Sequence, residues 1–535
     1  MREAFEAPQN GQMSPVRSHC AALLERHCGW LIALVLGMAV LFTIGDFGIT
    51  WDEPVRHFSG VMHGMWFRDL SLSRIDYYWQ PDHEHPPMGT LLGGFTRYLV
   101  FRKLGLMNDL TACRVQSALF VFALTLALFS LLRPAFGRGV ALLAVVATFC
   151  LPRMFFDANL YSLDYPLTAI SVAAVWAFWK ALERPRWMPA AAVLIGLALL
   201  TKVNGFFLYF TLYAWFVARH RRNWGALLRR PATDAERAWR SGWLTLTLLP
   251  PLVYLLGWPW LWPHPLARLA EYFQLQFGHA VIPTYYMGRT QAPWHYPFVM
   301  TLLTVPLAIL VPMLTGMVRA PFGSHRALKL FLLLNGLVPL AVLAFLTPCR
   351  YDGVRLFLPA FPFLCALSAV GIGELAGLIR RRGPRLAFVG AYACLFLISV
   401  WFSLVRYHPH QASYYNELIG GVRGATRAGF ETTYWCDGFR DVLDWMNHHR
   451  DSVFLIPIGA HVFDRYADLG MTPQNLRILT DSAASGSADY LVLQMRQGLF
   501  SAVLWRYCRE EQPVFSCGVA GAPLVNVYRV KRPAE

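Results

Sequence analysis

Charge is what this chain has least of. Only 15% of its 535 residues are Asp, Glu, Lys or Arg, while 56% are hydrophobic; a soluble domain of that size carries about a quarter charged residues. The deficit excludes an ordinary soluble globular protein and indicates a polytopic membrane protein. Acidic groups are the scarcer sign, 32 against 48 Lys and Arg, yet the basic excess does not describe a nucleic-acid surface. Arg and Lys sit mainly in short loops between apolar runs, so the excess reads as membrane topology. The ten Cys include no CxxC pair and no His-spaced ligand set, which leaves no visible structural zinc framework. Cys508 and Cys517 are open to two readings, a disulfide or a pair of buried thiols. No Gly-rich phosphate loop occurs in the C-terminal segment, so no nucleotide is assigned there. The first 28 residues lack a small-residue cleavage site, and the first span is expected to be retained.

Apolar runs able to cross, or nearly cross, a bilayer lie at Gly29–Ile49, Thr111–Leu132, Gly139–Leu151, Tyr165–Ala181, Met188–Val203, Gly205–Ala218, Gly242–Trp260, Tyr296–Met317, Leu328–Leu346, Leu356–Ile379 and Leu386–Val405. That makes about eleven spans, several short and therefore expected to be buried among neighbours. With a cytoplasmic N-terminus, the loops holding Arg133 and Arg138, then Lys180 to Arg186, Arg219 to Arg240, Arg319 to Lys329 and Arg380 to Arg385 all fall inside, as the positive-inside rule requires. The weakest link is Met188–Ala218, where Lys202 and Asn204 lie in the middle and a single kinked span would break the parity. The expected architecture is an α-helical polytopic membrane protein. Residues 1–28 are a cytoplasmic N-terminus, and 29–405 a transmembrane catalytic domain with a first outer loop at 50–110. Residues 406–535 form a small C-terminal α/β domain outside. In that domain Ser452–Ile458, Asp489–Gln494 and Pro523–Val530 read as strands, and Arg440–His448 and Gln497–Tyr507 as amphipathic helices.

The outer segments gather acidic, His and aromatic residues. Thr50-Trp51-Asp52-Glu53-Pro54 follows the first span directly, putting two carboxylates at the water boundary. Asp52 is suited to capping a helix that begins at Pro54. The favoured reading is chemical: one carboxylate takes a proton from an attacking hydroxyl or amine while the other binds substrate or orients the first. Asp82-His83-Glu84-His85-Pro86-Pro87 is either an exposed polar turn or a ligand set for a divalent cation; because adjacent residues rarely all face one ion, no metal is assigned. Met88–Val100 follows as an amphipathic interfacial helix. Asp157 and Asp164, seven apart, can share a helical face, and Asp164 can equally cap a helix. Arg350 and Arg355 bracket Tyr351 and Asp352 at the start of a span, where they either snorkel to headgroups or together clamp a lipid phosphate. Lys202 and Arg289 are further cationic candidates. A transporter of lipid-linked saccharides would place ionisable groups mid-span and show paired halves; here Lys202 is the main mid-span exception.

These residues resemble a known family. Thr50-Trp51-Asp52-Glu53-Pro54 is similar to the acidic motif in the first outer loop of the GT-C superfamily of lipid-linked glycosyltransferases. His85-Pro86-Pro87-Met88-Gly89 resembles the His-Pro-Pro-x-Gly-Lys motif of its protein O-mannosyltransferase and aminoarabinose transferase branch, with Thr90 where that motif has Lys. Asp157-Ala158-Asn159, Asp164-Tyr165-Pro166, Gly196 to Lys202, Tyr351 to Arg355 and Ser413 to Gly421 are similar to later signatures of bacterial members. The resemblance implies transfer of a sugar from a polyprenyl-phosphate donor to an acceptor at the outer face of the bacterial cytoplasmic membrane, with inversion and with no cofactor. It makes Asp52 the general base, with Glu53 assisting acceptor binding. It makes His85, Asp157, Asp164, Lys202, Tyr351 and Arg355 substrate-binding residues, to which the reading of the cationic residues adds Arg289 and Arg350. The partners it implies are the polyprenyl-phosphate sugar, a glycan, lipid or protein acceptor and membrane lipids, with no nucleic acid.

Overall fold

The computed structural model describes residues 15–221, 231–278, 282–347, 349–481 and 487–531. The N-terminal Arg2, the part of the basic loop at 222–230, and His279 lie outside the described residues. Every expected apolar run carries helix. By length and composition five described helices can cross a membrane, Asp109–Phe149, Asp164–Glu183, Arg326–Phe345, Arg355–Leu378 and Arg382–Val405, and shorter apolar helices occupy His27–Thr43, Pro185–Leu199 and Leu307–Arg319. The chain is thus an α-helical membrane protein in which many spans are too short to stand alone and pack into one body. The first and last apolar helices are more exposed, with Trp30, Leu34 and Phe42 on the one and Leu386, Leu397 and Trp401 on the other, as lipid-facing helices are.

The breaks between runs have local causes. Asp109–Phe149 is continuous by hydrogen bonding, but Pro134 and Gly137, at φ +80, interrupt it where the sequence has its Arg133–Arg138 loop. Met188–Ala218 is two helices, Met188–Leu199 and Gly205–Arg219, and Lys202 sits in the turn between them. Pro306 splits Tyr296–Met317 into Tyr296–Thr304 and Leu307–Arg319. The carbonyls this frees are taken up from afar: the Asn416 amide donates to those of Leu302 and Val305 at 2.6 and 2.8 Å. Gly316 lets Leu307–Arg319 cross Phe361–Leu378 at backbone distance, since a Cβ there would meet the Leu367 carbonyl at 1.9 Å.

The first loop folds into helices Glu53–Asp69, Ile75–Trp79 and Met88–Arg97, followed by a wide turn of helix at Tyr98–Lys103. Gly60 and Gly94 bring the first and third of these together, a Cβ on Gly94 falling 2.5 Å from the Gly60 carbonyl. Thr90 turns inward, donating to the Pro87 carbonyl at 2.9 Å and meeting His63 Nδ1 at 3.3 Å. Phe95, Tyr98 and Leu99 stay exposed on the outer side.

The C-terminal segment forms the expected small α/β domain around a five-stranded sheet. Its strands are β1 (Val453–Leu455), β2 (Arg477–Leu479), β3 (Tyr490–Gln494), β4 (Phe515–Val519) and β5 (Ala522–Arg529). They run in the order β2-β1-β3-β5-β4, with β1 parallel to β2 and β3, and β5 antiparallel to β3 and β4. Strands β2 and β4 were not expected, being short and mostly half-exposed, and Ser452–Ile458 contributes only three strand residues. Cys508 and Cys517 are free thiols. The domain packs on the first loop through Ile49, Leu110, Phe439 and Phe463. It is also pinned by Asp109, whose carboxylate accepts from Arg97 and from Arg465 Nη2 at 2.7 Å and meets His57 Nε2 at 2.9 Å.

Candidate active site

The two adjacent carboxylates part company as soon as the loop helix begins. Asp52 takes the N-cap position before Glu53–Asp69 but makes no capping hydrogen bond. Its side chain turns instead to the helix flank, where Oδ2 accepts from Arg56 Nη2 at 2.8 Å, one turn on, and from Arg355 Nη1 at 3.2 Å. A quarter of the Asp52 side chain is open to solvent. Burial pushes its pKa up, but Arg56 and Arg355, with His85 and Lys202 beyond them, outweigh that and hold the carboxyl well below the usual carboxylate range.

Glu53 points the other way and is fully buried. Arg114 forks onto both of its oxygens at 2.7 Å, and the amides of Thr50 and Tyr161 donate to it at 2.9 Å. The rest of the Arg114 guanidinium ties down the carbonyls of Ile44, Phe47 and Gly48. The expected role of Glu53 in acceptor binding is corrected here: with every face of the carboxylate taken and no exposure, it braces the exit of the first helix.

Arg355, at the start of the Arg355–Leu378 span, is the hub of the remaining charges. Besides Asp52 it approaches Asp352 Oδ2 with Nη2 at 3.3 Å and Asp164 Oδ2 with Nε at 3.7 Å, and its plane lies over the Trp435 ring at 4.4 Å. Lys202, in the turn after Met188–Leu199, donates to Asp164 Oδ1 at 2.5 Å. Asp157 and Asp164 meet across a turn rather than along one helix, closing the short helix Pro152–Asp157 and opening Asp164–Glu183. Burial, and then the Asp164 charge beside it, push the Asp157 pKa well up.

Of the other expected substrate-binding residues, His85 lies near Asp52, with Nδ1 3.0 Å from Asp82 Oδ1, and the Tyr351 ring flanks Arg355 at 5.9 Å. Arg350 is a correction. Its guanidinium donates to the carbonyls of Leu343 and Ala344 at 2.9 and 2.8 Å, capping the preceding helix, and it forms no clamp with Arg355. Arg289 stands exposed on a two-residue bridge with Tyr286, with no contact to the cluster. His83 and His85 turn apart, His83 toward Gln80 and Glu271, and no group of three His, Cys, Asp or Glu suited to a metal ion occurs among the described residues.

Several polar atoms of the cluster are buried without a hydrogen bond: Arg56 Nε and Nη1, Asp157 Oδ1 and Ser162 Oγ, and also Arg355 Nε and Asp164 Oδ2, which face each other at 3.7 Å. Buried polar groups are normally satisfied, so donors and acceptors without hydrogen bonds here make the surroundings of Asp52 and Arg355 the candidate ligand site. Of the residues not expected from sequence, Arg56 carried a signal in its four-residue spacing from Asp52. Arg114 carried one as a charge inside an apolar run. Ser162 and Arg496, which reaches Asp352 from the C-terminal domain at 2.9 Å, carried none.

Fold and site together define a polytopic α-helical membrane protein with a carboxylate–guanidinium cluster at the junction of its helices, its first loop and its C-terminal sheet domain. The same fold occurs in a solved structure, ArnT from Cupriavidus metallidurans bound to undecaprenyl phosphate: the TM-score is 0.52 at 16% identity, covering 93% of this chain and 98% of that one. The archaeal oligosaccharyltransferase AglB from Archaeoglobus fulgidus, in complex with an inhibitory peptide and a dolichol-phosphate, aligns over 90% of this chain and 70% of that one, with a TM-score of 0.49 and 12% identity. The model of the family described as dolichyl-phosphate-mannose-protein mannosyltransferase matches residues 84–230, a stretch that contains His85, Asp157, Asp164 and Lys202. No curated protein sequence matches the chain.

Proposed function

We propose that this chain transfers a glycosyl group from a polyprenyl-phosphate donor to a hydroxyl or amine acceptor at the outer face of the bacterial cytoplasmic membrane. The observation that carries the reading is the Asp52 carboxylate held between Arg56 and Arg355, guanidiniums with free N–H groups beside it. The match of residues 84–230 to a mannosyltransferase family and the ArnT-like fold support it.

A lipid phosphate competes with Asp52, Asp352 and Asp164 for Arg56, Arg355 and Lys202. As the bond from the anomeric carbon to the phosphate oxygen breaks, charge grows on that phosphate, and fixed guanidiniums stabilise it. The acceptor oxygen or nitrogen attacks from the opposite side, its proton passes to Asp52, and polyprenyl phosphate departs. A carboxylate locked far below its usual pKa is a weak base; drawing the guanidiniums onto the phosphate restores the basicity of Asp52 when donor is bound. Glu53 takes no part beyond holding the loop, and no metal is assigned. The N-terminus lies inside and the C-terminal domain outside.

Purified protein incubated with radiolabelled polyprenyl-phosphate sugars and membrane extract tests this. Wild type transfers label, and Asp52→Asn, folded to the same melting temperature, loses at least about 100-fold in rate. Wild-type turnover by that variant, or cysteine labelling that places position 52 on the cytoplasmic side, sinks the proposal.

A further inference from the structure

Besides the Trp435 ring under Arg355, the C-terminal domain brings a charged side chain into the cluster. Arg496, just after β3, is buried, and its guanidinium has three neighbours: Asp352 Oδ1 accepts from Nη2 at 2.9 Å, the Tyr434 carbonyl accepts from Nη1 at 2.8 Å, and the Trp51 ring lies 5.4 Å below. The second oxygen of Asp352 faces Arg355 at 3.3 Å. Arg355 therefore receives one oxygen from Asp352 and one from Asp52, 3.2 Å away, and forks onto neither. Asp352 and Gly353 are left-handed, at φ +55 and +65, which aims the carboxylate between the two guanidiniums. The same domain fixes the other side of the site: the Trp51 amide donates to the Trp435 carbonyl at 3.0 Å, and His461 Nε2 donates to the Trp51 carbonyl at 2.8 Å.

When both oxygens of a carboxylate are free, Arg prefers the two-pronged contact. Without Arg496, Asp352 would be a buried anion whose one remaining ion-pair partner is Arg355, and both of its oxygens would compete for that guanidinium against Asp52. We propose that Arg496 is a positioning residue: by occupying one oxygen of Asp352 it keeps Arg355 on a single pivot, free to move between Asp52 and the donor phosphate, so that the soluble domain completes the membrane-embedded site. The inference rests on the transferase reading above.

Steady-state kinetics of the full-length chain in nanodiscs test it. Arg496→Met keeps the stem over Trp51 and removes the charge; the donor KM rises about 10-fold or more, with a smaller change in kcat. The acid limb of the pH–rate profile also moves up, because Asp52, faced by Arg56, Arg355, His85 and Lys202, loses one of these cations. Arg496→Lys, which restores a charge opposite Asp352, recovers activity to within about 3-fold. Asp352→Asn combined with Arg496→Met is no worse than the poorer single variant, since both act on one pivot. Wild-type donor KM and pH profile in Arg496→Met, or additive losses in the double variant, overturn the inference. A wild type that transfers no sugar overturns the transferase reading instead. The pivot is then decided by an electron-cryomicroscopy map of Arg496→Met, in which Arg355 has left Asp52 for both Asp352 oxygens if it exists and is unmoved if it does not.

Discussion

Arg355 Nη1 lies 3.2 Å from Asp52 Oδ2, across 303 positions of sequence. The contact joins the exit of the first span to the entry of a late one and makes the proposed base and the proposed phosphate binder a single electrostatic unit: whatever binds the guanidinium changes the basicity of the carboxylate.

Replacing Arg355 by Lys keeps the charge but not the planar fork that spans Asp52, Asp352 and the space beside Asp164. Because Arg and Lys differ most where a planar contact is made, the variant is expected to lose about 10- to 100-fold in kcat/KM for the donor while melting within a few degrees of wild type. Measured donor kinetics equal to wild type would show that the guanidinium geometry is irrelevant.

Glu53 and Asp52 should fail in opposite ways. Glu53→Gln leaves Arg114 buried with an uncompensated charge, a loss on the order of 3–5 kcal/mol. It is expected to appear as a large fall in melting temperature and yield, with specific activity per folded molecule retained. Replacing both partners, Glu53→Leu with Arg114→Met, is expected to restore part of that stability, because no lone charge then remains. A Glu53→Gln protein that is stable but inactive would return Glu53 to the chemistry.

Much of this was legible in the residues, for definable reasons. Apolar length marked runs that carry helix, and Asp52 stands out in the sequence because a carboxylate beside an apolar run needs a reason to be there. Adjacency misled for Glu53: on a helix, neighbours in sequence project about 100° apart, so one acid faces the cluster and the other the core. Bracketing misled for Arg350, which donates to carbonyls six and seven residues back while Arg355, across a left-handed pair, turns inward. Arg496 could not have been read, since its meaning depends on how a separate domain docks, a long-range fact with no local spacing.

The soluble domain carries its own pH dependence. His410 is buried between Asp437, 3.2 Å from Nδ1, and Asp441, 2.7 Å from Nε2. Burial alone would lower its pKa, but these carboxylates raise it to about 9 from 6.5. A group raised in the folded state stabilises fully below its unfolded pKa, and that contribution fades as pH climbs through about 9. On the order of 2–3 kcal/mol should therefore vanish between pH of roughly 6.5 and 9.5. Melting curves across that window should fall for wild type and flatten for His410→Gln; parallel curves would assign the decline to another group.

Asn416 offers a sharper test of how the membrane body is held. Pro306 strips a break in the helix of its own hydrogen bonds, and the Asn416 amide donates to two of the carbonyls exposed there, Leu302 and Val305, while its backbone N–H donates to Leu303 at 2.7 Å. In a low-dielectric interior an unsatisfied carbonyl costs about 1–3 kcal/mol. Asn416→Ala should therefore lower stability by roughly 2–4 kcal/mol, summing imperfectly over the two groups. Asn416→Asp should do worse despite its near-identical shape, because it presents acceptors to acceptors. If shape rather than donation mattered, the Asp variant would melt closer to wild type than the Ala variant, and a thermal unfolding series of the three proteins in one detergent separates these outcomes.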